Sequence, residues 1–267
     1  MRGVDNPLKP FLYASLVVYG LSFVTAVVYN LSGKANFEKL SRILLTIGLA
    51  VHSLALIERI HSTGHAPMAS MYETLVFFSW TTVVTSLIVA YRYKERTTEL
   101  ITVPIAILAI VFALVNEKPG SPLTLILDTR WFEIHVTASF AAYALFTLAF
   151  SGAVLYLFTG IRGKENGELV KYQEIAGRSV LWGFFFFSAS MFSGAVWGYL
   201  AWGTYWMWEP KILWSFIVWV YYAGAMHAYY LKDWRGKGLS VATVIGFFVV
   251  IFTYLGVSML MKSSHSF

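Results

Sequence analysis

Cysteine is absent from the 267 residues. That removes structural disulfides, thiolate metal sites and cysteine nucleophiles together. Charge is scarce as well. Asp, Glu, Lys and Arg make up 13% of the chain, about half of the ~25% carried by a soluble globular domain. No stretch has the composition of a separate soluble domain. A small-residue cleavage site is also missing after the opening M-R-G-V-D-N-P-L-K-P. The first apolar run is therefore expected to be a retained spanning helix rather than a signal peptide.

What the chain has in quantity is apolar and aromatic. Hydrophobic residues reach 58% and aromatics 18%, and the mean hydropathy is +0.64. A spanning helix needs ~20 mostly apolar residues to cross a hydrocarbon core of ~30 Å. Eight segments meet that requirement, near 10–31, 42–60, 74–91, 100–116, 134–159, 179–200, 213–231 and 240–261. The fifth and sixth run long enough to extend beyond a bilayer. The expectation is an all-α polytopic integral membrane protein with about eight transmembrane helices, built as a single assembly domain over 1–267.

The net charge is +6 and the pI near 9.4, but the basic residues sit between apolar runs, so they orient the chain in a lipid bilayer and call for no nucleic acid. Eight spans sort the loops onto two sides. The loops near 32–42, 92–99, 160–178 and 232–239 hold 13 Lys and Arg, and the other side with both termini holds 7. Lysine and arginine collect on the cytoplasmic side, which puts both termini outside.

Residues 202–210 read W-G-T-Y-W-M-W-E-P. On this topology they form an outer-face loop between helices six and seven, within a tryptophan-rich segment 201–212 bounded by Gly198 and Pro210. The pattern fits a short amphipathic helix in the interface, its rings directed at the bilayer or at a ligand. Tryptophan and tyrosine also mark membrane–water boundaries, and Trp197, Trp214 and Trp219 are expected to be such anchors.

The chain has 6 histidines: His52, His61, His65, His135, His227 and His265. None falls in a cytoplasmic loop. His52 and His227 fall within helices two and seven, where an ionisable residue is costly and is a functional candidate by default. A neutral imidazole bonded to a neighbouring helix is the structural alternative. Without cysteine a closed zinc site is poorly supplied, whereas histidines from different helices can give both axial ligands to haem iron. Aromatic walls and the outer cations Arg59, Arg130 and Lys211 suit a porphyrin and its propionates.

Ser193 to Trp219, S-G-A-V-W-G-Y-L-A-W-G-T-Y-W-M-W-E-P-K-I-L-W-S-F-I-V-W, resembles the tryptophan-rich WWD signature of haem-handling cytochrome c assembly proteins. The stretch G-H-A-P-M-A-S-M-Y-E at 64–73, H-V-T-A-S-F-A-A-Y-A at 135–144 and the closing G-V-S-M-L-M-K-S-S-H-S-F are similar to blocks of the CcsA/ResC branch, the membrane core of the System II cytochrome c synthase. The resemblance implies haem transport and presentation at the outer face, for covalent attachment to an apocytochrome c bearing C-x-x-C-H, with a CcsB/ResB-type membrane partner. It implies haem b at one or two sites: iron held outside by His135 and His265, and within the membrane by His227 with His52. Trp202, Gly203, Trp206, Trp208, Glu209, Pro210 and Lys211 would form the haem-facing shelf. His65 matches a family position without an assigned role, and His61 matches none. Glu209 stands where the signature has aspartate and Ile212 where it has glutamate. A haem permease without synthase activity therefore stays open beside the haem-binding component of a thioether-forming lyase. So does a b-type di-haem electron-transfer subunit, although His52 and His227 are single on their helices. The membrane is expected to be a bacterial cytoplasmic membrane, or a thylakoid.

Overall fold

The computed structural model describes residues 8–161, 166–231 and 234–261. Every regular element among them is a helix. The elements are α1 (Lys9–Ser32), α2 (Ala35–Thr63), α3 (Met71–Arg92), α4 (Glu99–Val115), α5 (Arg130–Ile161), α6 (Asn166–Trp202), α7 (Pro210–Tyr230) and α8 (Lys237–Ile251), followed by a π-helical turn (Phe252–Gly256) and α9 (Val257–Leu260). Helices α1, α2, α3, α5, α6 and the α8–α9 stretch are long and apolar enough to cross a membrane, and α4 is an apolar helix of 17 residues. The chain is an all-α polytopic membrane protein. Large apolar side chains such as Val17, Leu21, Ile88, Leu108 and Phe192 are exposed on these helices, as lipid contact requires and water would penalise.

The helices begin and end where local chemistry dictates. Gly33, Gly64 and Gly203 stop α1, α2 and α6 in left-handed backbone, at φ +67°, +76° and +74°. Each amide donates back to the carbonyl four residues earlier, a helix end that a Cβ would strain. Ser70 caps α3 by accepting from the Glu73 amide, the first half of a capping box.

Two expected loops are corrected. Much of 32–42 belongs to α2 and most of 160–178 to α6, because charged residues such as Glu38, Lys39, Lys171 and Arg178 continue a helix beyond its apolar stretch. At 37 residues and ~1.5 Å per residue, α6 is ~55 Å long, well beyond the ~30 Å core.

The chain divides into two compact units, Met1–Leu127 and Asp128–Phe267. In the first, α1 packs on α2 and α4, and α3 on α2 and α4. Polar side chains tie these helices. Ser22 donates to the Ser41 carbonyl (3.0 Å), Ser86 to Thr102 Oγ1 (2.6 Å) and Trp80 Nε1 to Ser53 Oγ (2.9 Å). Such bonds and close packing replace the hydrophobic drive that lipid removes.

In the second unit α5 and α6 form the most extensive pairing, flanked by α7 and α8. They approach closely at Gly152, where a Cβ would stand 3.1 Å from the Tyr172 carbonyl oxygen. Aromatic side chains fill the centre: Phe146 stacks on Tyr222 at 3.6 Å between ring centres, and Phe140 and Tyr143 meet Tyr254 at 5.3 and 5.8 Å.

Candidate functional site

His135 lies near the start of α5 and turns its ring onto α6. Its Nδ1 is 2.8 Å from the Ser190 carbonyl oxygen and 3.1 Å from Ser190 Oγ. Ser139, one turn further along α5, donates to the His135 carbonyl (2.8 Å) and lies 2.6 Å from Ser190 Oγ. The ring sits over Gly194, where a Cβ would fall 2.6 Å from Nδ1 and 2.8 Å from Cε1. Trp197 then stacks on the imidazole at 6.0 Å and 20°. Ser190, Gly194 and Trp197 follow one another at helical spacing, so a single stripe of α6 holds the ring.

Trp197 joins His135 to the tryptophan-rich stretch. Its ring meets Trp202 at 4.9 Å and 67°, and Phe132 at 5.1 Å. At 4% exposure it is a buried packing residue, and the expectation of an interfacial anchor is corrected. The spacing from Ser190 was the available signal, masked by the density of tryptophans after it.

Two further expectations about this stretch change. Helix α6 passes Gly198 and ends at Trp202, with Gly203 as its stop. Residues 203–209 are irregular rather than a short amphipathic helix. Left-handed Gly203 breaks the helix, Thr204 Oγ1 bonds the Trp206 backbone, and Glu209 is extended before Pro210 opens α7. Trp206 packs edge-on against Trp208 and Phe216, each at 5.7 Å. Its buried Nε1 has no hydrogen-bond partner among the described residues. Trp208 is 83% exposed. Trp208 thus gives an open indole surface, with the Trp206 donor enclosed beside it.

The three cations expected on the outer side have different fates. Arg59 is 2% exposed and paired through Nε to Glu73 at 2.7 Å, with NH2 donating to the Lys118 carbonyl. Its charge is neutralised, which corrects its expected availability to a propionate. Arg130 opens α5 in an exposed position. Lys211 donates to the Tyr254 carbonyl (3.1 Å) and Ser258 Oγ (2.6 Å). That carbonyl belongs to the π-helical turn, where the wider ladder leaves groups open to outside donors. Lys211 has no acidic partner among the described residues.

His65, without a role from sequence, is a pin: its Nδ1 lies 2.7 Å from the Ala66 carbonyl and its Nε2 2.9 Å from that of Ser121. His61 is exposed at the end of α2. His52 belongs to the first unit and is fully buried, with Nδ1 3.2 Å from Tyr19 OH. His227 belongs to the second, exposed in the last turn of α7 rather than well inside it, with Nδ1 2.6 Å from the Ala223 carbonyl. His265 lies outside the described residues.

An apolar helical fold with an imidazole held against an indole, further tryptophans packed edge-on and a lysine without an acidic partner among the described residues defines a polytopic membrane protein with a polar, aromatic-rich end. Comparison with known proteins narrows the class. The family model described as "Cytochrome C assembly protein" matches residues 68–265, and the chain belongs to that family. It is 30% identical over 99% of its length to a cytochrome c biogenesis protein CcsA of Prochlorococcus marinus (strain MIT 9215), covering 98% of that relative. It is also 30% identical to the CcsA of Chlamydomonas reinhardtii, over 93% of this chain and 72% of the relative. Among solved structures, one described as "Cytochrome c Heme Lyase CcmF" shares the fold at a TM-score of 0.70 and 17% identity, over 99% of this chain and 48% of that one.

Proposed function

We propose that the protein takes haem b to the outer membrane face and presents it to an apocytochrome c for covalent attachment. Membership of the cytochrome c assembly family supports a part in cytochrome c maturation. The observation that carries the finer reading is the His135 ring, fixed by Ser190, Gly194 and Trp197, with Trp197 stacked on it and Trp202 edge-on to Trp197. Haem supplies iron for two axial imidazoles, vinyl groups for the client's thiols and propionates for cations. The donor set fits it. His135 and His265 are the outer axial ligands in this reading, Trp202, Trp206 and Trp208 the shelf around Gly203, and Glu209–Pro210–Lys211 its rim. Lys211 is the cation for a propionate, because it has no acidic partner among the described residues whereas Arg59 is paired to Glu73.

Each thioether forms when a client thiol adds across a vinyl group, making one S–C bond and placing the proton on the adjacent carbon without net oxidation. The chain's own residues do no covalent work in this. They hold one reactant in a fixed orientation beside the other, an effective-concentration effect. The thiols come from the client's C-x-x-C-H, which agrees with a chain that has no cysteine. A CcsB/ResB-type membrane protein is the proposed partner, both termini face outward, and the membrane is a bacterial cytoplasmic membrane or a thylakoid.

His227 is the proposed ligand of a second haem, and His52 is a separate candidate ligand in the first unit. The enclosure of His52 by Tyr19 makes it the weaker ligand. Glu209 and Ile212 favour one narrower reading, haem transfer without attachment. Co-expression with a c-type reporter separates the two. Wild type matures the reporter, and His135→Ala or His265→Ala lowers both haem retention and maturation, with imidazole partly restoring them. Full haem with no mature reporter, even with a CcsB-type partner present, would leave a permease.

A further inference from the structure

The hydrogen-bond directions around His135 determine each other. A carbonyl oxygen only accepts, so at 2.8 Å from the Ser190 carbonyl the proton belongs on Nδ1 of His135. The Ser139 hydroxyl spends its proton on the His135 carbonyl. Ser139 Oγ can then only accept from Ser190 Oγ across their 2.6 Å contact. With its own proton so placed, Ser190 Oγ faces Nδ1 as a second acceptor at 3.1 Å. The ring closes: Nδ1–H to Ser190, Ser190 to Ser139, Ser139 back to the His135 main chain. Ser139 and Ser190 are 8% and 1% exposed, so water competes little with these bonds. Gly194 supplies the clearance, since any Cβ there would occupy the edge of the imidazole.

We infer that Ser139, Ser190 and Gly194 form a tautomer lock that keeps the proton of His135 on Nδ1 and its lone pair on Nε2, making these three positioning residues for the iron ligand. The inference rests on the reading of His135 as a haem ligand, but the lock is a property of the protein before haem arrives. A histidine that donates through its other nitrogen to a carbonyl is oriented and made a stronger electron donor to a metal. Relaxing the lock costs ligand strength without removing the ligand. Loss of such an outer contact typically weakens metal binding ~10- to 100-fold. Because the Ser190 carbonyl remains in every serine variant, the low end, ~10-fold, is expected here.

The test uses the full chain labelled with 15N-histidine in lipid, haem-free, with the His135 signals identified by their loss in His135→Asn. The wild type is expected to show a protonated Nδ1 and an unprotonated Nε2. Ser190→Ala and Ser139→Ala should each admit some of the opposite tautomer. When loaded, both should hold haem ~10-fold more weakly, with its midpoint potential shifted upward. Gly194→Ala should lower haem retention more, and that added loss should vanish in the His135→Ala background, where there is no ring to displace. If Gly194→Ala fails to fold, the two serine variants carry the test alone. A proton on Nε2 in the wild type, or serine variants with unchanged tautomer and potential, overturns the lock. Correct tautomers in a chain that never binds haem leave the lock standing and remove the haem reading instead.

Discussion

Glu73→Ala tests the buried electrostatics of the first unit most sharply. Glu73 and Arg59 are both 2% exposed and joined at 2.7 Å, and the second carboxylate oxygen accepts from the Ala69 amide at 2.7 Å. Removing the acid leaves a guanidinium buried and unpaired, a loss of about 3–5 kcal/mol, and frees a main-chain donor at the entry to α3. The Arg42–Glu38 pair is the control. Its side chains are 41% and 30% exposed, and exposed pairs are worth about 0–1 kcal/mol. The assay is heating of the detergent-solubilised protein followed by size-exclusion chromatography of what survives. Glu73→Ala should lower the midpoint by on the order of 10 °C, and Glu38→Ala by little. Replacing both partners, Arg59→Met with Glu73→Leu, should recover much of the loss, because the pair's removal also removes the desolvation cost. Equal midpoints for Glu73→Ala and Glu38→Ala would refute the reasoning.

Three further outcomes follow from the second unit. Trp197→Ala removes a buried ring from His135, Phe132 and Trp202 and should cost about 3–5 kcal/mol, while Trp197→Phe keeps most of the stability in the same heating assay. Trp208→Ala should change stability by no more than about 0.5 kcal/mol, since the ring is 83% exposed, yet lower haem retention measured by pyridine haemochrome. Gly203→Ala places a Cβ at φ +74° and should cost about 1–2 kcal/mol, read as a lowered midpoint.

Each of the eight apolar segments lies on a helix, and six of those helices are long and apolar enough to cross a membrane, because length and hydropathy answer to the bilayer alone. The boundaries at their charged ends were less legible. Glu38 and Lys171 look like loop residues, but an α-helix accepts charges on any face that meets water. The loop after Trp202 carried its own signal in Gly203 and Pro210, a left-handed stop and a helix start, which outweighed the amphipathic look of the residues between. His135 was readable from its block. Its supports were not, since Ser190, Gly194 and Trp197 become one surface only when α6 is laid against α5. Likewise nothing in sequence joins His65 to the Ser121 carbonyl, or Lys211 to a π-helical turn that no composition announces.

The most direct measurement is the absorption spectrum, with a pyridine haemochrome assay, of protein purified from haem-replete cells as wild type and as the His135→Ala, His265→Ala double variant. Two-imidazole haem b in the wild type, and loss of that signal in the double variant, is the predicted result. A colourless wild type, or a double variant whose spectrum and haem content match it, would contradict the account.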